Sequence, residues 1–154
     1  MLSYRPASQE QYETFFDLMV AQSSDYIHTT LQLMQGDLDE FSQLFRTVGE
    51  VYGVYQDGEL AGFYWVELRQ AVLHLHGLIL QPEFQRQGIG QAVLSDLEAQ
   101  YCERVEAIEL GVHRSNERAI ALYKKQGYRT MRAFDDLGFY VMQKRPGKKA
   151  NIGE

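Results

Sequence analysis

The sequence predicts a single domain of the α/β (α+β) class, and three observations carry that reading. Apolar runs of strand length alternate with segments whose apolar residues recur at helical spacing. Asp57-Gly58 joins two of those runs as a tight turn joins the arms of a hairpin, so part of the sheet is antiparallel. A further run, Val72 to Leu80, passes through Gln85, Arg86, Gln87, Gly88, Ile89, Gly90 into a helical pattern, a strand-to-loop-to-helix connection. At 154 residues and 45% hydrophobic the chain is long enough for one core and short for two. The expected domain is 1–145, with a basic, polar tail over 146–154 that frays.

Taken in order, Leu2 to Arg5 reads as a strand. Ser8 with Gln11 is a capping-box signature, and Tyr12, Phe15, Phe16, Met19 and Val20 form the buried stripe of the helix it starts. Asp37 with Glu40 opens a second helix carrying Leu38, Phe41, Leu44, Phe45 and Val48. The stretch between them, Gln22 to Gln35, has no assignable pattern. Val51 to Gln56 and Glu59 to Leu68 make the hairpin, and the chain turns near Arg69 and Gln70 into the fourth strand. Ile89, Val93, Leu97 and Tyr101 then mark a helix, Val105 to Val112 a fifth strand, and Ser115 to Gly127 another helix. Arg129 to Phe134 and Leu137 to Lys144 flank Asp135 and Asp136 as a final hairpin. Gly77, inside the fourth strand, is read either as a bulge that redirects it or as a packing glycine.

The formal net charge of −6 argues against broad nucleic-acid binding and favours encounter with a cationic substrate. Cys102 is the single cysteine and cannot form an internal disulfide. With no export-like opening segment and no apolar run of membrane-spanning length, the expectation is a soluble, cytoplasmic protein without a membrane partner.

The glycine loop before the third helix lets backbone N–H groups turn toward one point at a helix N-terminus, a setting for a diphosphate. Two glycines alone also fit a tight turn with no ligand. Downstream, Ser115-Asn116-Glu117-Arg118-Ala119-Ile120-Ala121-Leu122-Tyr123-Lys124-Lys125-Gln126-Gly127-Tyr128 follows a strand. Gln-x-x-Gly-x-Gly after one strand, then Asn-x-x-Ala-x-x-Leu-Tyr-x-x-x-Gly-Tyr after the next, resembles the GCN5-related N-acetyltransferase superfamily. The direct match runs from about Leu73 to Tyr128. The resemblance implies a mixed, mostly antiparallel sheet of about seven strands with helices on both faces, its fourth and fifth strands splayed to receive acetyl-CoA. It places Leu78, Ile79 and Leu80 along the pantetheine arm and Gln85, Arg86, Gln87, Gly88, Ile89, Gly90 and Gln91 at the pyrophosphate. Gln85 serves either there or in organising the loop. Asn116 is given a pantetheine contact, and it also suits a helix N-cap. Lys124 and Lys125 lie on the helix beside the cofactor or on its solvated face.

Acetyl transfer to an amine requires a proton to leave the acceptor and another to reach the departing thiolate. The resemblance puts the proton donor at Tyr123; a phenol of ordinary pKa, about 10, is protonated at neutral pH. Its alternative is a core aromatic. For the acceptor's proton, His74 and His76 stand two apart on one strand and so point to one face. His-Leu-His before Gly-Leu-Ile-Leu is similar to the arylalkylamine N-acetyltransferase branch, where a histidine pair is associated with a water-linked proton route. Glu67 and Glu109 are the rival bases. No third ligand accompanies the histidines, so no metal is expected. Cys102 has no basic activator and reads as a buried, inert thiol.

The expected reaction is transfer of acetyl from acetyl-CoA to a primary amine by direct attack in a ternary complex, with Tyr123, His74 and His76 as catalytic residues. The acceptor is a small-molecule amine or a peptide or protein amine; a homodimer is compatible with the sequence. Asp25, Asp37, Asp39, Asp135 and Asp136 are candidate amine contacts, and Tyr26, Tyr64, Trp65 and Phe134 candidate walls for an acceptor. A non-catalytic acyl-CoA sensor is the alternative. A nucleotide-binding module fits less well, since Gln91 stands where a phosphate-binding lysine is needed.

Overall fold

The computed structural model describes residues 1–147. Its strands are β1 (Leu2–Pro6), β2 (Glu50–Gln56), β3 (Glu59–Arg69), β4 (Val72–Leu80), β5 (Ala107–His113), β6 (Arg129–Phe134) and β7 (Phe139–Lys144). Its helices are α1 (Gln9–Gln22), α2 (Ser24–Met34), α3 (Leu38–Thr47), α4 (Ile89–Tyr101) and α5 (Glu117–Lys125). The strands make one open sheet in the order β1-β2-β3-β4-β5-β7-β6. Every neighbouring pair is antiparallel except β4 and β5.

Alternation along β3 builds both cores. Phe63 and Trp65 face α1 to α3, where Phe15, Met19, Ile27, Phe41 and Phe45 are buried against them. Tyr64 and Val66 face the other way, onto Ile89, Val93, Leu94, Leu97 and Tyr101 of α4. The expected buried stripe of α4 is therefore the observed one. In α3, Phe41 and Phe45 are buried, whereas Leu38 and Leu44 lie at the solvent edge.

Both capping boxes form. Ser8 Oγ accepts from Gln11 N–H and Gln11 Oε1 from Ser8 N–H; Asp37 and Glu40 repeat the exchange at α3. Such a cap is worth about 1 kcal/mol. Asp57 and Gly58 both adopt positive φ, the tight hairpin turn the sequence predicts.

One element was not foreseen. Three helices, not two, precede β2, because most of Gln22–Gln35 forms α2. Ile27, Leu31 and Met34 do recur at helical spacing and pack on the α1–α3 core. However, Ser23 at the start makes no side-chain cap, so the usual opening signature is missing. Contacts across the chain hold α2 instead: Thr29 Oγ1, itself buried, donates to Leu137 C=O at 3.4 Å, and Tyr26 packs on Phe139.

Lys144 of β7 ties the opposite layer together, donating to Glu98 on α4 at 2.8 Å and to the Gln126 carbonyl that ends α5. The expected frayed tail lies outside the described residues from 148 on. Gly147, within the 146–154 stretch expected to fray, donates its N–H to Glu98.

Candidate active site

β4 and β5 pair over only four rungs, Val72↔Ala107 to Leu75↔Leu110. Beyond Leu75, β4 continues beside β3 and β5 beside β7, and the two part. Main-chain groups on the facing edges then lack a ladder partner, which favours a ligand bearing amides of its own. Hydrogen bonding at the end of β4 fixes which groups those are. Gln81 N–H donates to Ala61 C=O, toward β3, while Leu80 C=O accepts from Gln22 and Gln85 side chains, both at 3.0 Å. Alternation therefore turns the main-chain groups of Leu78 and Leu80 to the gap and those of Ile79 to β3.

The gap is the waist of a cavity of about 610 Å³. At one end stands the glycine loop. Gly88 is the N-cap of α4 with φ +80° and caps nothing with a side chain, so the first-turn N–H groups are left for an anion. A Cβ on Gly88 would meet no atom within 4 Å; the glycine serves the left-handed backbone and keeps the approach open. Arg86, also at positive φ, and Arg118 are cations on this wall. The uncapped helix end and the unpaired strand edges fit the diphosphate and amides of acetyl-CoA.

Gln85 acts within the protein, donating to Gln22 Oε1 at 2.8 Å as well as to Leu80 C=O, and so ties the loop to the end of α1. Leu78, Ile79, Leu80, Gln85, Arg86, Gly88, Ile89, Gly90, Gln91, Asn116 and Tyr123 all line the cavity. Gln87 does not: its amide turns back to Glu83 C=O. Asn116 Oδ1 accepts from Ala119 N–H, the N-cap of α5. Tyr123 lines the cavity, and burial, with Tyr26 nearby, pushes its pKa up to about 12. It is a neutral phenol across the physiological range.

At the other end the histidines separate. His76 lines the cavity; His74 stands behind it, the rings nearly parallel with centroids 6.0 Å apart. Of the two readings of Gly77, bulge or packing glycine, a bulge is present, one residue earlier. Trp65 pairs Gly77 and Val66 pairs Leu75, so His76 is the extra residue, its ring 4.8 Å from the Trp65 indole. His76 Nε2 is 2.8 Å from Glu67 Oε1. Burial lowers the pKa of both histidines, outweighing Glu67 at His76 and the two carboxylates Glu109 and Glu67 at His74. At both rings the neutral form is favoured.

Sequence reasoning missed His113. It lines the cavity from β5, its Nδ1 2.8 Å from Ser115 Oγ, which donates to Asp25 Oδ2 at 2.7 Å. Alternation from Glu109 through Gly111 to His113 was the available signal. Of the five candidate aspartates Asp25 alone is on the cavity wall. Asp37 caps α3, and Tyr64 and Trp65 are core residues. Gly111 is required by packing, since a Cβ there would fall 2.3 Å from the Phe139 ring.

Known proteins give this arrangement its context. An alanine N-acetyltransferase of ribosomal protein bS18 from Escherichia coli (strain K12) is 35% identical over 74 residues, 47% of this chain and 50% of that protein. Mycothiol acetyltransferase from Clavibacter michiganensis subsp. michiganensis (strain NCPPB 382) is 30% identical over 74 residues, 47% of this chain and 24% of the relative. The match thus spans half or less of these relatives' lengths. A GNAT family acetyltransferase from Elizabethkingia anophelis, solved with acetyl-CoA bound, superposes with TM-score 0.70 at 17% identity, over 94% of this chain and 97% of that one. The Acetyltransferase (GNAT) family model matches residues 12–128, and with the seven-stranded mixed sheet parted between β4 and β5, the chain belongs to that family.

Proposed function

We propose that this protein transfers the acetyl group of acetyl-CoA to a primary amine by direct attack, with both substrates held in the one cavity. The observation that carries the reading is continuity. An uncapped helix N-terminus, a parted strand pair, a neutral phenol and a carboxylate-backed imidazole line a single space. Acetyl-CoA supplies the activated acyl group as a thioester, which an uncharged amine attacks.

The chain's residues divide the rest of the work. The N–H groups from Gly88 to Gln91 bind the diphosphate, and Leu78 and Leu80 offer main-chain groups to the pantetheine amides. Leu80 C=O exchanges its side-chain amide partners for that contact. Asp25, exposed at the cavity mouth, attracts the acceptor as an ammonium ion. His76, in its favoured neutral form, takes a proton from the acceptor nitrogen, and His74 behind it is the next imidazole on the way to solvent. Tyr123, held protonated by burial, gives its proton to the departing thiolate. The buried Cys102 lies away from the cavity wall and carries no acyl group.

Relatives named for mycothiol and for an alanine of a ribosomal protein support a search over both small amines and peptides with free N-termini. Turnover of acetyl-CoA is measured across such a panel by thiol release. Transfer to at least one amine is expected. Binding of acetyl-CoA with no transfer to any member would favour the sensor reading instead.

A further inference from the structure

We propose that Glu67 is a positioning residue for the reaction, holding the His76 imidazole with Nε2 protonated so that Nδ1 is the nitrogen left to receive the acceptor's proton. This rests on the reading of His76 as the base. An ionised carboxylate can only accept hydrogen bonds, so the 2.8 Å contact from Glu67 Oε1 requires Nε2 to be the donor. A neutral imidazole has one proton to place. Its lone pair is then on Nδ1.

Three features set this arrangement apart from an ordinary surface ion pair. First, Glu67 pairs in register with His74, not His76. The β4 bulge inserts His76 as an unpaired residue, and the Trp65 indole packs against its ring at a tilt of 48° and restricts where it can turn. Second, both Glu67 oxygens are engaged, Oε1 by His76 and Oε2 by Arg69 Nε at 3.4 Å, and Glu67 does not line the cavity. The same is true of Glu109, whose Oε2 accepts from Gln143 and whose Oε1 is 3.8 Å from Arg132. The two carboxylates that looked like rival bases are thus turned away from the reacting centre. Third, Glu67, His74, Glu109 and Gln143 occupy matched positions on β3, β4, β5 and β7, a polar row crossing the sheet just before β4 and β5 part. None of these four lines the cavity; His76, bonded to the row through Glu67, does.

In the step itself the acceptor's N–H bond breaks, its electron pair stays on nitrogen, and the proton forms a new bond at Nδ1. The resulting imidazolium is paired with Glu67 through Nε2–H. The charged and titratable groups facing His76 are Glu67 and Arg69 from β3 and His74 from its own strand; Glu109 of β5 faces His74. Glu67 opposes Arg69 by favouring the imidazolium.

The test is kcat/KM against pH for wild type, Glu67→Gln, His76→Gln and the double variant, using an acceptor from the amine screen. A glutamine carbonyl still accepts Nε2–H but carries no charge. The acidic limb of the Glu67→Gln profile should move to lower pH by on the order of one unit, and the plateau should fall roughly threefold, as for a weaker base. In the His76→Gln background Glu67→Gln should change nothing further. A Glu67→Gln profile that overlies wild type, or an equal loss in both backgrounds, overturns the proposal. His76→Gln at full rate overturns the base reading and the proposal with it, and is told apart by that variant alone. Imidazole nitrogen NMR of the unmodified protein gives a check that needs no variant to fold. Neutral His76 should carry its proton on Nε2, and an Nδ1–H tautomer would contradict the proposal.

Discussion

The two ends of the cavity are built in different ways. The end assigned to the cofactor comes from three continuous stretches, Leu78–Leu80, Gln85–Gln91 and Asn116–Tyr123, and acts largely through main-chain groups at a helix N-terminus and a strand edge. The end assigned to the acceptor collects Asp25 from α2, His76 from β4 and His113 from β5, with Glu67 of β3 bonded to His76 from outside the cavity wall, and acts through side chains. A main-chain site tolerates most side-chain changes and fails when the backbone is forced out of shape. A side-chain site loses function one group at a time.

The largest expected effect therefore comes from Gly88→Val. A β-branched residue opposes φ +80° and fills the open approach to the α4 N-terminus. Wild type should gain about 2.7 kcal/mol at a hundredfold excess of acetyl-CoA over its Kd, seen as a rise in Tm. The folded variant should show no rise, and an undiminished one would remove the phosphate assignment.

Tyr123→Phe ranks next. Ring packing is kept and the proton donor is lost, so turnover should fall by a factor on the order of 10² while acetyl-CoA affinity stays near wild type. Full turnover with chemistry rate-limiting would make Tyr123 a packing residue.

Replacing His74 and His76 together by glutamine should slow single turnover roughly tenfold near pH 7. The deficit should shrink as pH rises, because more acceptor then arrives deprotonated. Overlapping profiles would discard the histidine route.

Asp25→Asn should raise KM for the amine about threefold to fivefold with kcat little changed, the scale of an exposed ion pair. A loss confined to kcat would instead tie Asp25 to chemistry through Ser115 and His113.

The smallest effect is on stability. Burial lowers the folded-state pKa of both histidines below the unfolded value of about 6.5. Between the two values the unfolded chain binds more protons, so stability is full above about 6.5 and declines as pH falls through the window toward the folded-state pKa. Urea unfolding at pH 7.5 and 5.5 should show that decline in wild type and a flatter response in the double glutamine variant.

The same contrast explains what could be read from the sequence. Gln85 to Gly90 and Asn116 to Tyr123 are local patterns whose geometry follows from neighbours in the chain, and the capping boxes at Ser8 and Asp37 place α1 and α3 the same way. α2 has no such signature because Ser23 caps nothing and Thr29 and Tyr26 are held by residues more than 100 positions away. His113 was hidden for a similar reason. Its partners Ser115 and Asp25 include one 90 positions from the other, which no spacing rule connects. Glu67 was visible, but as a competitor to His76; only the bulge at His76 brings the two together.

Direct transfer within one cavity is the central claim, and a single-turnover mass balance tests it most directly. The protein is preloaded with acetyl-CoA, an amine from the screen is added, and free thiol, acetylated amine and acetylated protein are counted together over time. Thiol and acetylated amine should appear at the same rate, one for one, with no acetyl group on the protein at any point. Acetylated protein that forms before the product and decays into it would contradict the claim.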